Sequence, residues 1–523
     1  MTETKQPFAS YWRDETLRDW IDHHAKHTPD QFAILGPGTR WSYGELHARA
    51  LNLAAQLRDL GIGRGDVVAI QLPNLPEFVL TYLATGYAGA MLQTLHMPYR
   101  GAEIEFLLQH SGAKAIVCMG QGKDFNPADA VLAMKSRLPA LAHVIALGPN
   151  PPQGSLPFDS KPAPATLETR PHADDEFVLL YTSGTVAAPK GVPTPYKNFL
   201  ANARMSAPEH AIDSSSILLT AAPLSHLYGL FAVNLTFAAG ATMALLPAFS
   251  PPALAEALDT YRPTQLFTAP AHMTACLQAG LLTPERLGSL AMLQISGSAC
   301  PPELAREVQA MMPNGKVTQL WGMSELQAGA FTRPSDPLDA RMTSAGRASP
   351  GTELRIMLDG APLAPDEEGE LQVRGCSVFD GYLGNADATA GAFTSDGWFR
   401  TGDLARMTAD GNIAITGRLK DVINRGGVKF NPADIEALID RHPAVLQCAI
   451  APLPDPVMGE RACCFAVLKA GATLTLDDIR AFLTRHDIAK TKWPERLEII
   501  AEMPLTPTRK IKKADLVRAV LPG

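Results

Sequence analysis

The sequence predicts a large layered α/β body, then a small β unit and a small α+β domain. Three observations predict it. Apolar strand-like runs alternate with helix-like segments between Glu45 and Cys118, and a second α/β stretch runs from Phe177 to about Gly346. Short strands with frequent turn signals follow, and from Gly417 the pattern changes again to mixed helix and strand.

Taken in order, Glu45 to Leu60 reads as an amphipathic helix that stops at Gly61. Asp66-Val-Val-Ala-Ile-Gln-Leu is a short apolar strand closed by Pro73. A mostly apolar helix is expected from Asn74-Leu-Pro to about Leu92, and a buried strand at Lys114-Ala-Ile-Val-Cys. Gly148 to Asp175 is rich in Pro, Ser, Gly and Asp and reads as an exposed connection. Glu353–Leu358, Gly369–Arg374 and Gly411–Thr416 read as the strands of the small β unit. A helix at Pro432–Ile439, strands at Ala444–Ala451 and Ala462–Leu468, and a helix at Leu476–Arg485 make the last domain. That domain would hold roughly a hundred residues, within the usual range.

Bulk properties bound the function. The chain has 523 residues, 46% of them hydrophobic, so it can bury a substantial core without disulfides or a structural metal. The net charge of −7 is mild and both signs are interspersed. No basic arm is present to neutralise a phosphate backbone, so no nucleic-acid partner is expected. The cysteines number seven, an odd count without a CxxC pair, which indicates neither a disulfide framework nor a zinc site. Met1-Thr-Glu-Thr-Lys-Gln opens no signal segment and no apolar run reaches ~18 residues, so a reduced cytoplasmic protein without a transmembrane helix is expected.

The strongest motif is Leu179-Leu-Tyr-Thr-Ser-Gly-Thr-Val-Ala-Ala-Pro-Lys-Gly-Val. An apolar strand feeds a loop bearing hydroxyls, glycine and one lysine. Its backbone N–H groups, the Thr182, Ser183 and Thr185 hydroxyls and Lys190 suit phosphate oxygens. It lacks the glycine and lysine spacing of a Walker A loop. Four further segments read blandly in isolation: His226 as a structural histidine, Trp321 as a buried ring beside a turn, Gly402-Asp403 as a turn, and Lys510 as one solvated charge.

The first motif resembles the phosphate loop of the adenylate-forming superfamily, whose members are acyl-CoA synthetases, adenylation domains and luciferases. The usual form is Thr-Ser-Gly-Thr-Thr-Gly-x-Pro-Lys-Gly; here Val186 and Ala187 replace the second Thr of its Thr-Thr pair and the Gly that follows. Ala222-Pro-Leu-Ser-His-Leu-Tyr-Gly resembles the acyl-pocket segment, with His226 as the gate near the carboxylate. Ser296-Gly-Ser-Ala-Cys-Pro resembles the adenine-contacting loop, and Trp321-Gly-Met-Ser-Glu resembles the Tyr-Gly-x-Thr-Glu motif. Trp398-Phe-Arg-Thr-Gly-Asp resembles the ribose-binding motif, and Gly417-Arg-Leu-Lys-Asp-Val-Ile-Asn-Arg-Gly-Gly the junction between two domains. Pro504-Leu-Thr-Pro-Thr-Arg-Lys resembles the C-terminal lysine motif, with Arg509 where Gly is usual. Trp41-Ser-Tyr-Gly-Glu-Leu and the run from Leu60 to Ile70 extend the resemblance over nearly the whole chain.

The resemblance implies a fold: two α/β subdomains plus a small β-barrel in residues 1–416, capped by a small mobile α+β domain in 417–523 with its hinge near Lys420. It also implies a site. Thr182, Ser183, Gly184, Thr185 and Lys190 would hold phosphates, and Ser298, Ala299, Cys300, Trp321, Gly322 and Met323 would hold adenine, Trp321 by stacking. Ser324 would contact the α-phosphate, Asp403 the ribose, and Arg418 ribose or phosphate. Glu325 and Thr185 would hold Mg²⁺, which prefers oxygen ligands. Lys510 would stabilise charge during adenylation, and Gly426-Gly427 would admit the pantetheine thiol. Thr185, His226, Glu325 and Lys510 are the expected catalytic set.

The implied activity is ATP-dependent acyl-CoA ligation through an acyl-adenylate, with a small carboxylic acid, ATP and coenzyme A as substrates and a monomer or homodimer as the working form. Candidate acyl-pocket positions are His226, Tyr228, Ala271, Ser296, Gly297, Leu320, Gly322 and Gln327, mostly small or apolar. They favour an uncharged alicyclic, aryl or short-to-medium-chain acid. The alternatives are an adenylating enzyme that loads a separate carrier protein, since no carrier domain follows Gly523, and a non-catalytic homologue that binds acyl ligands.

Overall fold

The computed structural model describes residues 3–162, 166–167, 170–182, 189–425, 428–456, 458–486, 488–506 and 510–521, without the side chains of residues 3–6, 428, 429 and 434. Ser183, Gly184, Thr185, Val186, Ala187, Gly426, Gly427 and Arg509 therefore lie outside the described residues. The chain packs as two compact units, one holding Met1–Thr182, Lys190–Glu353 and Arg374–Gly397, the other Leu354–Val373 and Trp398–Gly523.

The first unit carries two large sheets. A seven-stranded sheet runs in the order Leu156–Pro157, His143–Leu147, Ala115–Met119, Val67–Gln71, Met91–Thr94, Glu176–Tyr181 and Gly191–Pro195. Its pairs are parallel except the last, where Glu176–Tyr181 and Gly191–Pro195 run antiparallel. A nine-stranded sheet has a parallel centre from Phe32–Gly36 through Thr242–Leu245, Ile217–Thr220, Gln265–Thr268 and Met292–Ile295 to Lys316–Met323. Val67–Gln71 is buried throughout, as a parallel strand covered on both faces must be, which is why it reads as an unbroken apolar run.

The helix read at Glu45–Leu60 spans Tyr43–Asp59 and Gly61 follows its C-cap at φ +76°. Ser42 sets its start: the Ser42 hydroxyl accepts from the Glu45 N–H at 3.3 Å and the Glu45 carboxylate accepts from the Ser42 N–H at 3.0 Å. The helix expected from Asn74 to about Leu92 is shorter, spanning Pro76–Tyr87. Gly89 turns the backbone left-handed at φ +79°, which ends the helix and frees Met91–Thr94 to become a central parallel strand. Apolar composition alone does not separate a buried helix from the strand that follows it.

In the second unit, a five-stranded sheet has the order Ala361–Pro362, Thr352–Leu358, Gly369–Gly375, Phe399–Met407 and Ile413–Arg418. It stands where a small barrel was expected. Among the described residues no pairing between its two outer strands is found, which does not exclude a barrel. The C-terminal part pairs Val445–Asp455 with Gly459–Leu468 antiparallel and adds Ile423–Arg425 and Val428–Phe430 on one side. The helices Ala433–Ile439 and Leu476–Arg485 pack their apolar faces here, burying Ile435, Ile439, Ile479 and Leu483. Among the described residues no helix is long and apolar enough to cross a membrane.

Removing the reciprocal cap by Ser42→Ala should lower stability by about 1 kcal/mol. Thermal unfolding should show this as a lower Tm with unchanged turnover, because the cap touches no part of the site below.

Candidate functional site

The first unit assembles its polar residues at strand ends. The strand Glu176–Tyr181 and its antiparallel partner Gly191–Pro195 come into register at Tyr181 and Gly191. One residue further on, the Thr182 N–H donates to the Lys190 carbonyl at 3.0 Å, and the Lys190 N–H donates to the Thr182 hydroxyl at 3.2 Å. This pair joins Thr182 and Lys190, the expected phosphate-holding residues of the motif among those described. The Lys190 ammonium lies 4.6 Å from the centre of the Tyr382 ring. The Tyr382 hydroxyl donates to Glu325 Oε1 at 3.0 Å. Burial, and then the Glu325 charge, raise the Tyr382 phenol well above its ordinary value, so it stays a neutral donor. Lys190 and Glu325, far apart in sequence, are thus joined through one tyrosine that sequence reasoning missed.

Trp321 to Glu325 lie in the hairpin between Lys316–Met323 and Gln327–Phe331. The register slips between Trp321 and Gly322, and a Cβ on Gly322 would collide with the Gln327 carbonyl, so the glycine is required by the turn. Trp321 is 8% exposed and packs its ring against Gly329. Its surroundings are therefore those of a core ring along much of its surface. Gln327 and Tyr228, expected in the acyl pocket, are buried and donate to the carbonyls of Asn198 at 2.8 Å and Gln294 at 2.9 Å. Ser298 and Ala299 are exposed on the loop after Met292–Ile295, with Cys300 half-buried beside them.

His226 stands at the N-cap of the helix Leu227–Ala239, where its Nδ1 accepts from the Tyr228 N–H at 3.2 Å. Gly229 lets the chain fold back here, because a Cβ would strike the Pro223 carbonyl. Two neighbouring loops brace this turn. Asn74 donates from Nδ2 to the Ala222 carbonyl at 3.0 Å and accepts from the Leu224 N–H at 2.7 Å. The Thr94 hydroxyl donates to the Ser225 carbonyl at 2.7 Å, and His96 Nδ1 meets the Ser225 hydroxyl at 2.9 Å. A cavity is lined by Thr94, His96, Tyr99, Leu180, Tyr181, Ser225, His226, Leu227 and Ser324. It brings together the strand before the phosphate-type loop, the His226 turn and Ser324, three motifs that are distant in sequence. Asn74, Thr94, His96 and Tyr99 were not singled out from sequence. The only signal was a His and a Tyr in a Pro-containing turn after an apolar run.

The second unit holds the remaining candidates. Asp403 and Arg418 face each other across the paired strands Phe399–Met407 and Ile413–Arg418, with Arg418 Nε 3.0 Å from Asp403 Oδ1. The Asp403 side chain is nearly buried and Arg418 is partly exposed. Lys420 sits in the short turn Leu419–Asp421; burial lowers its ammonium below the ordinary lysine range, assisted by Arg418 and Lys513 and opposed by Asp421 and Asp403. At the far end, the Thr506 N–H donates to the Lys510 carbonyl at 2.7 Å and the Lys510 N–H to the Thr506 hydroxyl at 3.0 Å. Lys510 is thus pinned by a threonine, as Lys190 is.

Among the described residues no three His, Cys, Asp or Glu side chains converge as a metal cluster. Glu325 remains a single carboxylate, which suits a Mg²⁺ that arrives with a nucleotide and takes its other oxygens from phosphate and water.

The fold matches that of the ATP-bound MatB structure from Rhodopseudomonas palustris, with a TM-score of 0.85 at 27% identity over 97% of this chain and 99% of that one. The class is therefore that of adenylate-forming enzymes. The chain belongs to the AMP-binding enzyme family, whose model matches residues 21–383, with the AMP-binding enzyme C-terminal domain matching residues 434–510. It is similar to a medium-chain fatty-acid–CoA ligase of Escherichia coli (strain K12), at 32% identity over 98% of this chain and 93% of the relative. It is also similar to a salicyl-AMP ligase / salicyl-S-ArCP synthetase of Mycobacterium tuberculosis, at 35% identity over 98% of this chain and 92% of the relative. At the level of the family it is an ATP-dependent, AMP-forming acyl-CoA synthetase.

Asn74→Ala should strand the Leu224 N–H and the Ala222 carbonyl in a dry interior. Each lost partner costs about 1–3 kcal/mol. Calorimetry should show a clear fall in Tm, and adenylate formation by the surviving folded enzyme should fall as well, since the His226 turn loses its brace.

Proposed function

We propose that the chain activates an uncharged alicyclic, aryl or short-to-medium-chain carboxylic acid with ATP and transfers the acyl group to coenzyme A. The observation that carries this reading is the cavity shared by Leu180, Tyr181, His226 and Ser324, whose described lining residues include no Lys, Arg, Asp or Glu. Such a lining offers no cation for a second carboxylate and no acid for an amine. The two relatives above, one named for fatty acids and one for salicyl transfer, act on acids of that kind.

A carboxylate is a poor acyl donor because oxide would have to leave. In the proposed first step its oxygen attacks the α-phosphorus of ATP and pyrophosphate departs. Lys190 and the threonine-pinned loop would hold the phosphates, Ser324 the α-phosphate, and Asp403 with Arg418 the ribose. Mg²⁺ bound with ATP through Glu325 and Thr185 would neutralise phosphate charge. His226 would align the carboxylate, and Lys510 would stabilise charge as it moves onto the leaving group. In the second step the CoA thiol attacks the acyl carbon and AMP leaves. Residues 417–523 would turn about Lys420, taking Lys510 out and bringing Gly426-Gly427 in. Seven cysteines without a disulfide suit a reducing cytoplasm, where a monomer or homodimer would work.

Loading of a carrier protein is the second reading, favoured by the salicyl-S-ArCP synthetase relative. Pyrophosphate release with a panel of acids, followed by thioester detection with CoA, tests the proposal. Adenylate without thioester at high CoA would move the acceptor to a carrier; no pyrophosphate with any acid would end the ligase reading.

Lys510→Ala should slow adenylation by the equivalent of about 2.7–4 kcal/mol, the loss typical of one charge-stabilising donor. Thioester formation from supplied acyl-adenylate should be spared, and separate assays of the two half-reactions read the difference. An equal loss in both would sink the alternation of faces.

Proline fixes φ near about −65°. Lys420→Pro should therefore hold one orientation, and Gly427→Leu should obstruct the thiol path. Both variants should keep ATP–pyrophosphate exchange while CoA thioester formation falls sharply, with thermal melts to confirm folding. Normal acyl-CoA synthesis by Gly427→Leu would put the path elsewhere.

A further inference from the structure

His96 ends up where an imidazole is expensive to place. It follows the central strand Met91–Thr94 and is only 8% exposed. A buried polar ring is stable there when its nitrogens are satisfied. One is: Nδ1 meets the Ser225 hydroxyl at 2.9 Å. The other, Nε2, meets no hydrogen-bond partner among the described residues, and the ring lines the cavity shared with Tyr99, Ser225, His226 and Ser324.

The ring is also held still. Gln71 donates to the backbone carbonyls of both His96, at 3.0 Å, and Tyr99, at 3.2 Å. The Tyr99 ring stands edge-on to the imidazole with centroids 5.2 Å apart. Ser225 is fixed in turn by the Thr94 hydroxyl on its carbonyl, at 2.7 Å. Two strand-end loops and the His226 turn therefore hold, in the cavity wall, a ring whose Nε2 has no partner among the described residues.

The chemistry of that nitrogen selects its partner. Burial pulls the imidazole down to about 4, so it is neutral near pH 7. A neutral imidazole has one donor and one acceptor, and the Ser225 hydroxyl can serve Nδ1 in either role. Nε2 can then donate or accept. A hydroxyl group on a ligand, which does both, matches either tautomer, whereas a methylene leaves Nε2 unpaired. The His226 ring lies 6.3 Å from the His96 ring, centroid to centroid, and Ser324 lines the same cavity. A ligand whose carboxyl group sits by His226 and Ser324 has its nearest substituents within reach of His96.

We infer that His96 reads the acid: its Nε2 hydrogen-bonds a hydroxyl carried within a few bonds of the carboxyl group, so the preferred substrates are short hydroxy acids of the aryl, alicyclic or acyl type. This rests on the ligase reading above and narrows it.

The test is kcat/KM for ATP–pyrophosphate exchange on matched pairs: 2-hydroxybenzoate and benzoate, 2-hydroxycyclohexanecarboxylate and cyclohexanecarboxylate, 3-hydroxyoctanoate and octanoate. In at least one pair the wild type should favour the hydroxylated member about ten-fold or more, the order expected when a buried polar group gains or lacks its partner. His96→Leu should erase that preference, slowing the hydroxylated member about ten-fold more than its plain partner. His96→Gln, which keeps a hydrogen-bonding side chain, should retain part of it. If His96→Leu fails to fold in thermal melts, His96→Gln decides: a larger loss on the hydroxylated acid than on its plain partner supports the inference. Equal losses on both members, or a wild type without preference in any pair, would overturn it while leaving the ligase reading intact. A wild type that exchanges with none of these acids would overturn both.

Discussion

The site in the first unit depends on a small set of buried hydrogen bonds that tie one sheet's loops to the other's. Asn74 and Thr94 follow or end strands of the seven-stranded sheet, yet their side chains hold the Ala222–Ser225 backbone after Ile217–Thr220 in the nine-stranded sheet. Each bond spans a dry interface, where the low dielectric strengthens a satisfied pair and penalises an unsatisfied one. The His226 turn has no regular structure of its own. Its position is set by these bonds and by the helix N-terminus that His226 caps. Without them, the two sheets would share a hydrophobic core but not an aligned cavity.

A second constraint repeats in each unit. Two lysines of the motifs are held by the same kind of backbone anchor. Thr182 anchors Lys190 and Thr506 anchors Lys510 by the same two-bond exchange: the lysine N–H donates to the threonine hydroxyl, and the threonine N–H donates to the lysine carbonyl. A threonine suits this place because its hydroxyl accepts locally while its branched carbon stiffens χ1. Lys190 is proposed to hold phosphates and Lys510 to stabilise charge, but the local solution for holding them is shared.

Tyr382 adds a link that motif reading does not supply. Its ring faces the Lys190 ammonium and its hydroxyl reaches Glu325, so a cation expected to hold phosphates and a carboxylate expected to hold Mg²⁺ are linked through one neutral aromatic group. Direct pairing of the two charges would compete with ligand binding. A tyrosine between them separates the charges and keeps both side chains in place. Trp321, by contrast, is largely occupied with core packing against Gly329, and any face it offers to adenine is what that packing leaves.

The sequence by itself determined much of this protein. Strand runs such as Val67–Gln71 and Ala115–Met119, the Gly61 stop and the helix at Leu476–Arg485 follow from hydrophobic period, capping and glycine, which act over a few residues. The ordered motifs also carried the family, because each is a contiguous string of residue types. The limits of local reading show at Met91–Thr94, where an apolar helix and a buried strand look alike until a sheet claims one of them. Only the tertiary structure decided which polar groups meet. Asn74 with Leu224, Lys190 with Tyr382 and Glu325, and His96 with Ser225 are separated by many tens of residues or more, and their pairing is fixed by the way two twisted sheets bring strand ends together. Hydrogen bonds act over about 3 Å, so no pattern along the chain records a partner that folding alone brings within reach.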